Sequence, residues 1–477
     1  MKKLNELYNC NYDVEIKGIK INSKEVEDGD LFVCIKGVNA DRHDFINEAI
    51  KNGAVALIVS HDVDVNVPYI KVDNPNLELP LVCRKFYDYP DTKLKIIGIT
   101  GTDGKTSTAT IIQTLIGDDK CGYTGTNGMS CRGIKKDIPN TTPDTDVLYA
   151  CFSDFVNAGC EFVAMEASSE AFFRGRLKNF TFSSSAITNI TSEHLNIHGS
   201  LENYIECKCK LFEQTKDDGV SILNHDDEHF EIVKKHCSAK VLTYGAKEDN
   251  DLQIVSYKVM PHKTEIRFKY LNKIYDVTSP LLGDFNVYNL ACALLTCLAN
   301  GFVIEDLIKN IKFLKIDGRL DMIDLGQDYY VMVDYAHTPN GITKLLNFVH
   351  TLDINKSIVV IGQAGERDYL KRPIVGEVVV NNASYAIFTY EDPRSENPKD
   401  IIDDIIKNIK NTHDNYEIVI DRKEAITKAV NIAKKGDMVL ILGKGNETYE
   451  KLKDKVIYFN DVEEAINAVK LREGIKN

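Results

Sequence analysis

The stretch from Ile96 to Thr114 constrains the fold of this chain more than any other. It reads IIGITGTDGKTSTATIIQT, an apolar run followed by a glycine-rich turn, a lysine and several hydroxyl residues. This order predicts a buried strand, a tight turn and the first turns of a helix. Backbone N–H groups at such a helix N-terminus bind anionic oxygens, and the helix dipole adds to the attraction. The stretch therefore predicts a phosphate-binding loop.

The loop also carries the side chains that a nucleoside triphosphate with Mg²⁺ requires. Lys105 would reach the outer phosphates, and Thr106 or Ser107 would hold Mg²⁺. The spacing GxxGKT is two residues shorter than the general GxxxxGK[ST] motif, so an ordinary glycine turn is the alternative. We favour phosphate binding because GKTS directly after a buried strand would rarely arise in an ordinary turn. The remaining loop residues are Gly101, Thr102, Asp103 and Gly104.

Composition places the chain in a broad class. Its 477 residues correspond to about three domains. A net charge of −13 disfavours nucleic acid as a partner, because phosphates would be repelled. The twelve cysteines include no C-x-x-C pair, the N-terminus has no apolar export signal, and no apolar run approaches the ~18 residues of a membrane span. We expect a cytoplasmic protein with free thiols, no membrane partner and a monomeric state.

The pattern of apolar runs predicts an α/β fold with three domains. Residues 1–90 alternate short strands with a helix near residues 45–52, which indicates a small α/β domain; its segment NADRHDFI is interpreted as a turn without function. Residues 91–315 continue the alternation, which is typical of a mostly parallel sheet with helices on both faces. The pattern restarts over residues 316–477 and predicts a second open parallel sheet, Rossmann-like in layout.

In open α/β sheets, ligands bind beyond the carboxyl ends of the strands. Glu166 follows an apolar strand and could supply an oxygen ligand to Mg²⁺, although a helix cap is the alternative. His194 and His198 have an i, i+4 spacing, but a single Mg²⁺ or phosphate contact is favoured over zinc because no third soft ligand is near. On pattern alone, Lys208 and Lys210 are exposed residues of an amphipathic helix.

Four polar loops follow strands of the C-terminal region, and we expect them to converge on one crevice. They begin at Asp334, Gly362, Tyr390 and Gly443. Arg367, Arg394 and Glu447 lie in these loops. Cations and a carboxylate in one crevice suit a zwitterionic substrate such as an amino acid.

Taken together, the motifs resemble the Mur ligase family, the ATP-dependent amide ligases of peptidoglycan precursor assembly. The resemblance covers nearly the whole chain. The motifs that carry it are TGTDGKTS, MEASS, TNITSEHLNIHGSLENYIECK, GDFNVYN, DGR, DYAHTP, GERDYLKRP and GKGNE. Within the family, NTTP at residues 140–143, DYAHTP and the EDPR loop are most similar to members that add the third amino acid to UDP-N-acetylmuramoyl-L-Ala-D-Glu.

The resemblance implies a UDP-substrate-binding domain (1–90), a central ATP-binding domain (91–315) and a C-terminal amino-acid-binding domain (316–477). ATP would phosphorylate the terminal carboxylate of the substrate, and the incoming amine would attack the acyl phosphate. A carboxylate is a poor electrophile, so phosphorylation supplies a leaving group, and Lys105 and Mg²⁺ would stabilise the charge on the transferred phosphoryl group. Domain closure would exclude water, which could hydrolyse the acyl phosphate.

The resemblance also implies site residues. Thr106, Glu166 and His194 would lie at the metal, and Lys208 matches a carbamylated lysine of the family, which reverses its interpretation as an exposed residue. The substrate-binding set would be Ser23 at the UDP end with Asn140, Thr141, Thr142, Ser168 and Arg176 along the muramoyl-dipeptide. The nucleotide set would be Asn286, Asn289, Arg319, Asp334 and His337 beside the loop 101–107. The amino-acid set would be Arg367, Asp392, Arg394, Gly443 and Glu447.

Several positions depart from the family pattern. NSK at residues 22–24 stands where DSR is common, Glu170 stands where a histidine is usual, and Glu193 replaces an aspartate. The loop EDPR differs from the DNPR associated with meso-diaminopimelate, so lysine or another diamino acid is an alternative to the favoured diaminopimelate. These departures leave two other hypotheses: a non-catalytic paralogue that binds nucleotide or precursor, and the related folylpolyglutamate synthetase.

Overall fold

The structure, a computed structural model, describes residues 1–37, 40–178, 180–191, 198–316, 318, 320–445 and 447–475. The chain divides into two units. Unit 1 comprises residues 1–255, 268–275 and 288–310, and unit 2 comprises residues 256–267, 276–287 and 311–477. Because unit 1 spans the boundary predicted near residue 90, the boundaries at 90 and 315 stay predictions. In the described ranges, no helix is long and apolar enough to cross a bilayer.

The N-terminal part of unit 1 is the small α/β domain that the sequence predicts. Four strands pair in parallel in the order β3-β4-β5-β6, and a short antiparallel pair β1-β2 precedes them. The strands are β1 Lys2–Lys3, β2 Glu15–Ile16, β3 Gly18–Lys20, β4 Asp30–Val33, β5 Ala54–Val59 and β6 Tyr69–Lys71. The helices are α1 Leu4–Leu7, α2 Ile46–Lys51 and α3 Pro75–Phe86, with 3₁₀ turns at Ser23–Glu25 and Arg42–Phe45.

The central part of unit 1 is a mostly parallel sheet, as predicted. Its strand order is β10-β9-β8-β11-β7-β12-β13-β14-β15, and the pairs β8-β9 and β9-β10 are antiparallel. The strands are β7 Lys95–Thr100, β8 Cys121–Gly125, β9 Gly128–Cys131, β10 Ile134–Lys136, β11 Phe162–Glu166, β12 Phe182–Ile187, β13 Thr215–Asn224, β14 Lys240–Gly245 and β15 Leu252–Met260. The helices are α4 Pro90–Lys93, α5 Lys105–Ile116, α6 Thr145–Asn157, α7 Ser169–Phe173, α8 Leu201–Glu213 and α9 Phe230–Lys235.

The phosphate-loop strand β7 lies in the middle of this sheet, between β11 and β12. Ile96, Ile97 and Ile99 are all buried, because residues on both faces of the strand are covered. Strand β15 is divided between the two units at residue 255, and so are β16 Lys263–Tyr270, β17 Lys273–Ser279 and the helix α10 Asp284–Ala299. Helix α11 Ile304–Asn310 returns to unit 1.

Unit 2 contains the second open sheet. Its order is β18-β19-β23-β20-β21-β22, and every pair except β18-β19 is parallel. The strands are β18 Asp321–Ile323, β19 Tyr330–Asp334, β20 Ser357–Ile361, β21 Tyr385–Phe388, β22 Tyr416–Ile418, β23 Met438–Leu442, β24 Tyr449–Lys451 and β25 Val456–Tyr458. The helices are α12 Pro339–His350, α13 Arg372–Asn382, α14 Pro398–Ile406, α15 Arg422–Ile432 and α16 Asp461–Glu473.

Helices cover both faces of this second sheet, and alternate residues of β20 show the two cores. Val359 and Ile361 pack in one hydrophobic cluster with residues of α12, α13 and α14. Ile358 and Val360 pack in another with residues of α15 and α16. Because β19, β23, β20 and β21 are parallel neighbours, their carboxyl ends share one edge of the sheet. The functional loops predicted from the sequence start at that edge.

Candidate active site

The glycine loop of unit 1 has a backbone that other residues would not tolerate. Gly101 and Gly104 have φ angles of +144° and +83° between the end of β7 and the start of α5. A Cβ atom on Gly101 would lie 1.9 Å from the Thr188 hydroxyl, and one on Gly104 would lie 2.3 Å from Asn289 Oδ1. Glycine is therefore required here by both conformation and space.

Side chains from the start of α5 fold back over this loop. Lys105 Nζ donates hydrogen bonds to the carbonyl oxygens of Gly101 (2.9 Å) and Thr102 (2.8 Å). The Thr106 hydroxyl donates to Glu166 Oε2 at 3.0 Å. Ser107 lies in the first turn of the same helix. The exposed Asp103 donates its backbone N–H to the side chain of Asn189 at 3.0 Å.

Glu166 ends strand β11 and is fully buried. Besides Thr106, its carboxylate accepts from the Tyr123 hydroxyl (2.7 Å) and the Thr126 N–H (2.9 Å). Burial and the adjacent Glu166 carboxylate raise the pKa of Tyr123 well above its ordinary value, so that phenol stays protonated as a donor. Ser168, not Glu166, caps the helix that follows, so the structure does not support the helix-cap alternative.

The Thr106 hydroxyl and the Glu166 carboxylate are oxygen donors of the kind that Mg²⁺ prefers. They lie within 3.0 Å of each other beside the loop that would hold phosphate. The residues present therefore fit a magnesium ion.

Lys208 is 1% exposed, so its interpretation from the sequence pattern as a surface residue is wrong. Its Nζ donates to the Gly101 carbonyl oxygen at 2.6 Å and lies 4.3 Å from the centre of the Tyr204 ring. The physical reason is the close approach of α8 to β7: a Cβ on Gly98 would lie 2.5 Å from a methyl carbon of Leu211. Lys210, on the other face of α8, is exposed as the pattern predicts.

Helix α8 also holds the glycine loop through a hydroxyl pair. The Tyr204 hydroxyl donates to Thr102 Oγ1 at 3.1 Å, and Thr102 in turn donates to the Thr191 carbonyl at 3.2 Å. The loop between β7 and α5 is therefore fixed from α8 at two residues, Gly101 and Thr102.

The predicted histidine pair is described only in part, because His194 lies outside the described residues. His198 is 3% exposed, its Nε2 is 3.1 Å from the Ser169 hydroxyl, and its ring lies 5.3 Å from that of Phe173. Among the residues that the structure describes, no group of three or more His, Cys, Asp or Glu side chains could hold a metal ion.

The predicted dipeptide-binding residues cluster near Glu166. The Thr142 hydroxyl donates to the Glu166 carbonyl (2.8 Å) and accepts from the Ser168 N–H (3.0 Å). Arg176 donates to the Thr142 carbonyl at 3.1 Å, and the Thr141 hydroxyl is 3.1 Å from that of Thr126. Asn140, just before them, has a φ of +65°.

A cavity of about 550 Å³ lies beside this cluster, within unit 1. It is strongly basic, with Asp144 as its one acidic lining residue in the described ranges. Its cationic lining residues are Lys36, Arg42, Arg174, Arg176 and Lys178. Arg176 also forms an ion pair with Asp144 at 2.8 Å. An excess of cations in one cavity suits a ligand with several negative charges.

The cavity and the predicted UDP-end residue do not coincide. Ser23 is 2% exposed, and its hydroxyl donates to Glu48 at 2.6 Å. Arg42, by contrast, lines the cavity, although its segment is interpreted above as a turn without function. That segment forms the 3₁₀ turn Arg42–Phe45. Asp41 caps the turn by accepting from the N–H of His43 at 3.0 Å, and an aspartate at this position is the sequence signal for such a turn.

The predicted nucleotide contacts can be placed individually. Asn289 lies against Gly104 and accepts from the Thr108 hydroxyl at 3.4 Å in unit 1. In unit 2, Asn286 donates to the Leu282 carbonyl (2.8 Å), and Asp334 accepts from the Ala336 N–H (2.8 Å). His337 Nδ1 is 2.9 Å from the Tyr335 carbonyl. Arg319 lies outside the described residues.

The structure brings the four C-terminal loops of unit 2 together. Gln363 donates to the His337 carbonyl at 3.2 Å, joining the loops after β20 and β19. The N–H of Gly365 donates to the Asp392 carbonyl at 2.8 Å, joining the loops after β20 and β21. Lys444, after β23, forms an ion pair with the Asp392 carboxylate at 2.9 Å.

Three predicted amino-acid contacts border this junction. Arg394 has a φ of +54°, its N–H donates to the Lys451 carbonyl at 2.9 Å, and its buried Nε has no hydrogen-bond partner among the described residues. Glu447 accepts from Lys444 at 3.1 Å. Gly443, with a φ of +118°, leaves room for Glu391, whose carboxylate would lie 2.8 Å from a Cβ there. Arg367 is exposed.

The sequence analysis missed the charged residues beneath these loops. Burial raises the pKa of Glu391 to about 7, although Arg422 opposes the shift. Burial lowers the pKa of Lys444, but its bond to Asp392 and the nearby carboxylates more than offset that effect and leave it raised. Arg422 forms a fully buried ion pair with Asp461 at 2.6 Å. The sequence signal that could have identified Lys444 as a site residue is its position directly after a buried strand.

A phosphate loop with an adjoining buried carboxylate, on a parallel sheet, places the chain among nucleotide-binding α/β enzymes. Comparison with known families makes the class specific. Residues 15–93 match the Mur ligase family catalytic domain, residues 99–297 the Mur ligase middle domain, and residues 318–445 the Mur ligase glutamate ligase domain. The chain belongs to the Mur ligase family, and it is an ATP-dependent amide ligase with the three-domain α/β fold.

Two curated relatives match almost the whole chain. The UDP-N-acetylmuramoyl-L-alanyl-D-glutamate–2,6-diaminopimelate ligase of Geobacillus thermodenitrificans is 36% identical over 469 residues, which is 96% of this chain and 96% of that protein. The ligase of the same name from Clostridium perfringens is 37% identical over 474 residues, again 96% of each chain.

Solved structures agree at the level of the fold. A structure of a UDP-N-acetylmuramoyl-L-alanyl-D-glutamate–2,6-diaminopimelate ligase covers 99% of this chain and 99% of its own, with a TM-score of 0.71 and 28% identity. The MurF ligase of Thermotoga maritima in complex with ADP has a TM-score of 0.64 at 19% identity, with 99% of each chain covered, and it supports the fold alone.

Proposed function

We propose that the protein joins meso-diaminopimelate, as the third amino acid, to UDP-N-acetylmuramoyl-L-alanyl-D-glutamate, with ATP converted to ADP and phosphate. The observation that carries this proposal is the similarity to ligases of that name, at 36% identity over 96% of the chain. The basic cavity of unit 1 supports it, because a UDP-linked substrate brings a diphosphate.

In the proposed reaction, the γ-phosphoryl group of ATP moves to the terminal carboxylate of the UDP-linked dipeptide. Lys105, now bonded to the loop carbonyls, would turn to the transferred phosphoryl group and offset its charge. Thr106 and Glu166 would hold Mg²⁺, which would supply further neutralisation of phosphate charge. The amine of the incoming amino acid then attacks the acyl phosphate, and the tetrahedral intermediate collapses to amide and phosphate.

We further propose that Lys208 acts as a carbamate in the active enzyme. Addition of CO₂ to its neutral amine, with release of a proton, would form a carbamate anion, whose oxygens could support a second Mg²⁺. Because Lys208 is only 1% exposed, water would have little access to the carbamate. The 2.6 Å contact between Lys208 Nζ and the Gly101 carbonyl supports a role for the modified group at the phosphate loop.

The crevice of unit 2 would hold the incoming amino acid. Arg394 carries a buried N–H without a partner in the described ranges, and an unsatisfied charged donor favours a carboxylate ligand. Asp392 and Glu447 supply negative charge for an ammonium group. Both features suit a diamino acid, and the second carboxylate of diaminopimelate would use Arg394 or the exposed Arg367.

The proposal extends to domains and compartment. The N-terminal domain would take the UDP end, the central domain ATP and the C-terminal domain the amino acid, with boundaries near residues 90 and 315. All twelve cysteines are free, which supports a reducing, cytoplasmic compartment.

Release of ADP tests the function. Purified protein would be given ATP, Mg²⁺ and UDP-N-acetylmuramoyl-L-Ala-D-Glu, with diaminopimelate, lysine or ornithine added in turn. We expect ADP release that depends on all substrates and is fastest with meso-diaminopimelate. Faster turnover with lysine than with diaminopimelate would change only the identity of the amino acid that is added, and the proposed ligase activity would stand. The absence of turnover with every amino acid would contradict the proposal and would favour the hypothesis of a non-catalytic paralogue.

A further inference from the structure

Lys444 is a fully buried lysine in the crevice of unit 2. It directly follows Gly443 at the end of β23. Its Nζ lies 2.9 Å from Asp392 Oδ1 and 3.1 Å from Glu447 Oε2, and 5.4 Å from the centre of the Tyr449 ring. With no exposed surface, the ammonium cannot itself meet a substrate that enters from solvent.

The two carboxylates that it binds come from different loops. Asp392 follows β21, whereas Glu447 follows β23. Asp392 also accepts from the N–H of Lys451 in β24 at 3.3 Å, and the N–H of Arg394 donates back to the Lys451 carbonyl at 2.9 Å. One ammonium and one short strand therefore set the separation of Asp392 from Glu447.

Charge makes this arrangement dependent on the lysine. The side chains of Asp392 and Glu447 are 6% and 22% exposed, so solvent screens their mutual repulsion poorly. Removal of the cation would leave two carboxylates close together, one of them buried without a counter-charge. The loop also carries one more acidic residue than the DNPR form described above, since Asp392 stands where that form has an asparagine.

We propose that Lys444 is a positioning residue for the incoming amino acid. It holds Asp392 and Glu447 in place before the substrate binds, and it compensates the additional charge that Asp392 brings to this loop. The inference rests on the proposed function, because it assumes that these two carboxylates face the amino acid.

The test compares four variants with the wild type, using the amino acid that the wild type prefers. Lys444→Met removes the cation at similar volume, Asp392→Asn removes the additional charge, and the double variant removes both. Lys453→Met, an exposed lysine between β24 and β25, is the matched control. Michaelis constants are measured separately for the amino acid, ATP and the UDP-linked dipeptide, with thermal unfolding to confirm folding.

We expect Lys444→Met to raise KM for the amino acid by about tenfold or more, with the other two constants changed by less than about twofold. Lys453→Met should stay within about threefold of the wild type, whereas Asp392→Asn should raise KM for the amino acid by less than Lys444→Met does, because it removes one negative charge from the site. The double variant should lie within about threefold of Asp392→Asn, because no buried aspartate is left without a counter-charge. A general loss of packing would produce neither the selective KM effect nor this rescue.

An unchanged KM for the amino acid in Lys444→Met would overturn the inference. It would also be overturned if KM for the amino acid in the double variant were as high as in Lys444→Met. If Lys444→Met does not fold, the double variant decides in the same way by comparison with Asp392→Asn. A folded wild type without any turnover would instead refute the proposed function, and the inference would fall with it.

Discussion

At the residue scale, Lys208 and Glu166 are two charged residues whose side chains are buried at the phosphate loop. Both are buried, and each holds a different side of the phosphate loop: Lys208 bonds the Gly101 carbonyl and Glu166 bonds the Thr106 hydroxyl. A buried charged group is costly unless it is paired or hydrogen-bonded, so two of them at one loop are candidates for a functional site.

Replacement of Lys208 by alanine tests its proposed role. Lys208→Ala should lower kcat by about 100-fold or more, because the proposed carbamate can no longer form. Added short carboxylic acids should restore part of the activity by filling the space that the side chain leaves. Lys210→Ala, an exposed lysine on the same helix, is the control and should behave like the wild type. Full activity of Lys208→Ala would contradict the carbamate assignment.

Asp146 is a second residue whose burial has a measurable consequence. It lies in the first turn of α6 at 3% exposure, and its Oδ1 has no hydrogen-bond partner among the described residues. Burial raises its pKa from 3.8 to about 7. Because the folded-state pKa is raised, the stability linked to its proton is fully present below pH 3.8 and is lost as pH rises through about 7.

Asp146→Asn should therefore become relatively more stable as pH rises, since asparagine cannot ionise. Between pH 5 and pH 8, the difference in unfolding free energy between variant and wild type should shift in favour of the variant by on the order of 2 kcal/mol. Urea unfolding at both pH values measures it, with Asp154→Asn, a more exposed carboxylate on the same helix, as control. A pH-independent difference would show that Asp146 is ionised throughout this range.

At the element scale, two glycines and the helix α8 fix the conformation of the loop between β7 and α5. Gly104→Ala should raise KM for ATP by about tenfold or more, because the added methyl group would meet Asn289 at 2.3 Å and φ is +83°. The matched control is Gly133→Ala, whose φ is +75° but whose Cβ meets nothing within 4 Å. If both variants raise KM equally, backbone strain alone is responsible; if neither does, the loop does not bind ATP.

The helices and strands could largely be predicted from the sequence, because each shows the spacing of apolar residues that is typical of its type. The strand from Ile96 and the helix after Gly104 follow from an apolar run, glycines and hydroxyl residues. The burial of Lys208 could not be predicted, because the charged residues Glu206 and Lys210 stand two positions away on either side. In addition, Gly98, which allows α8 to approach β7, is distant in sequence. Lys444 was missed for the same reason, because its partner Asp392 is 52 residues away.

At the scale of the whole molecule, periodicity predicted both parallel sheets and the α/β class, and the comparisons agree. Where one domain ends is harder to predict, because a boundary depends on contacts between distant residues. One hydrophobic cluster contains Leu31 and Val33 of the N-terminal sheet together with Ile96 and Phe152 of the central region. Chain-breaking residues such as Pro90 carry no information about such a shared core.

The central claim is that this chain forms an amide between a UDP-linked dipeptide and a diamino acid. Mass spectrometry of the products from ATP, UDP-N-acetylmuramoyl-L-Ala-D-Glu and meso-diaminopimelate tests it most directly. We predict one new nucleotide product, heavier than the precursor by diaminopimelate less one water, formed in equal amount to ADP. ADP formation without a product of that mass, or the absence of both with every diamino acid tried, would contradict the claim.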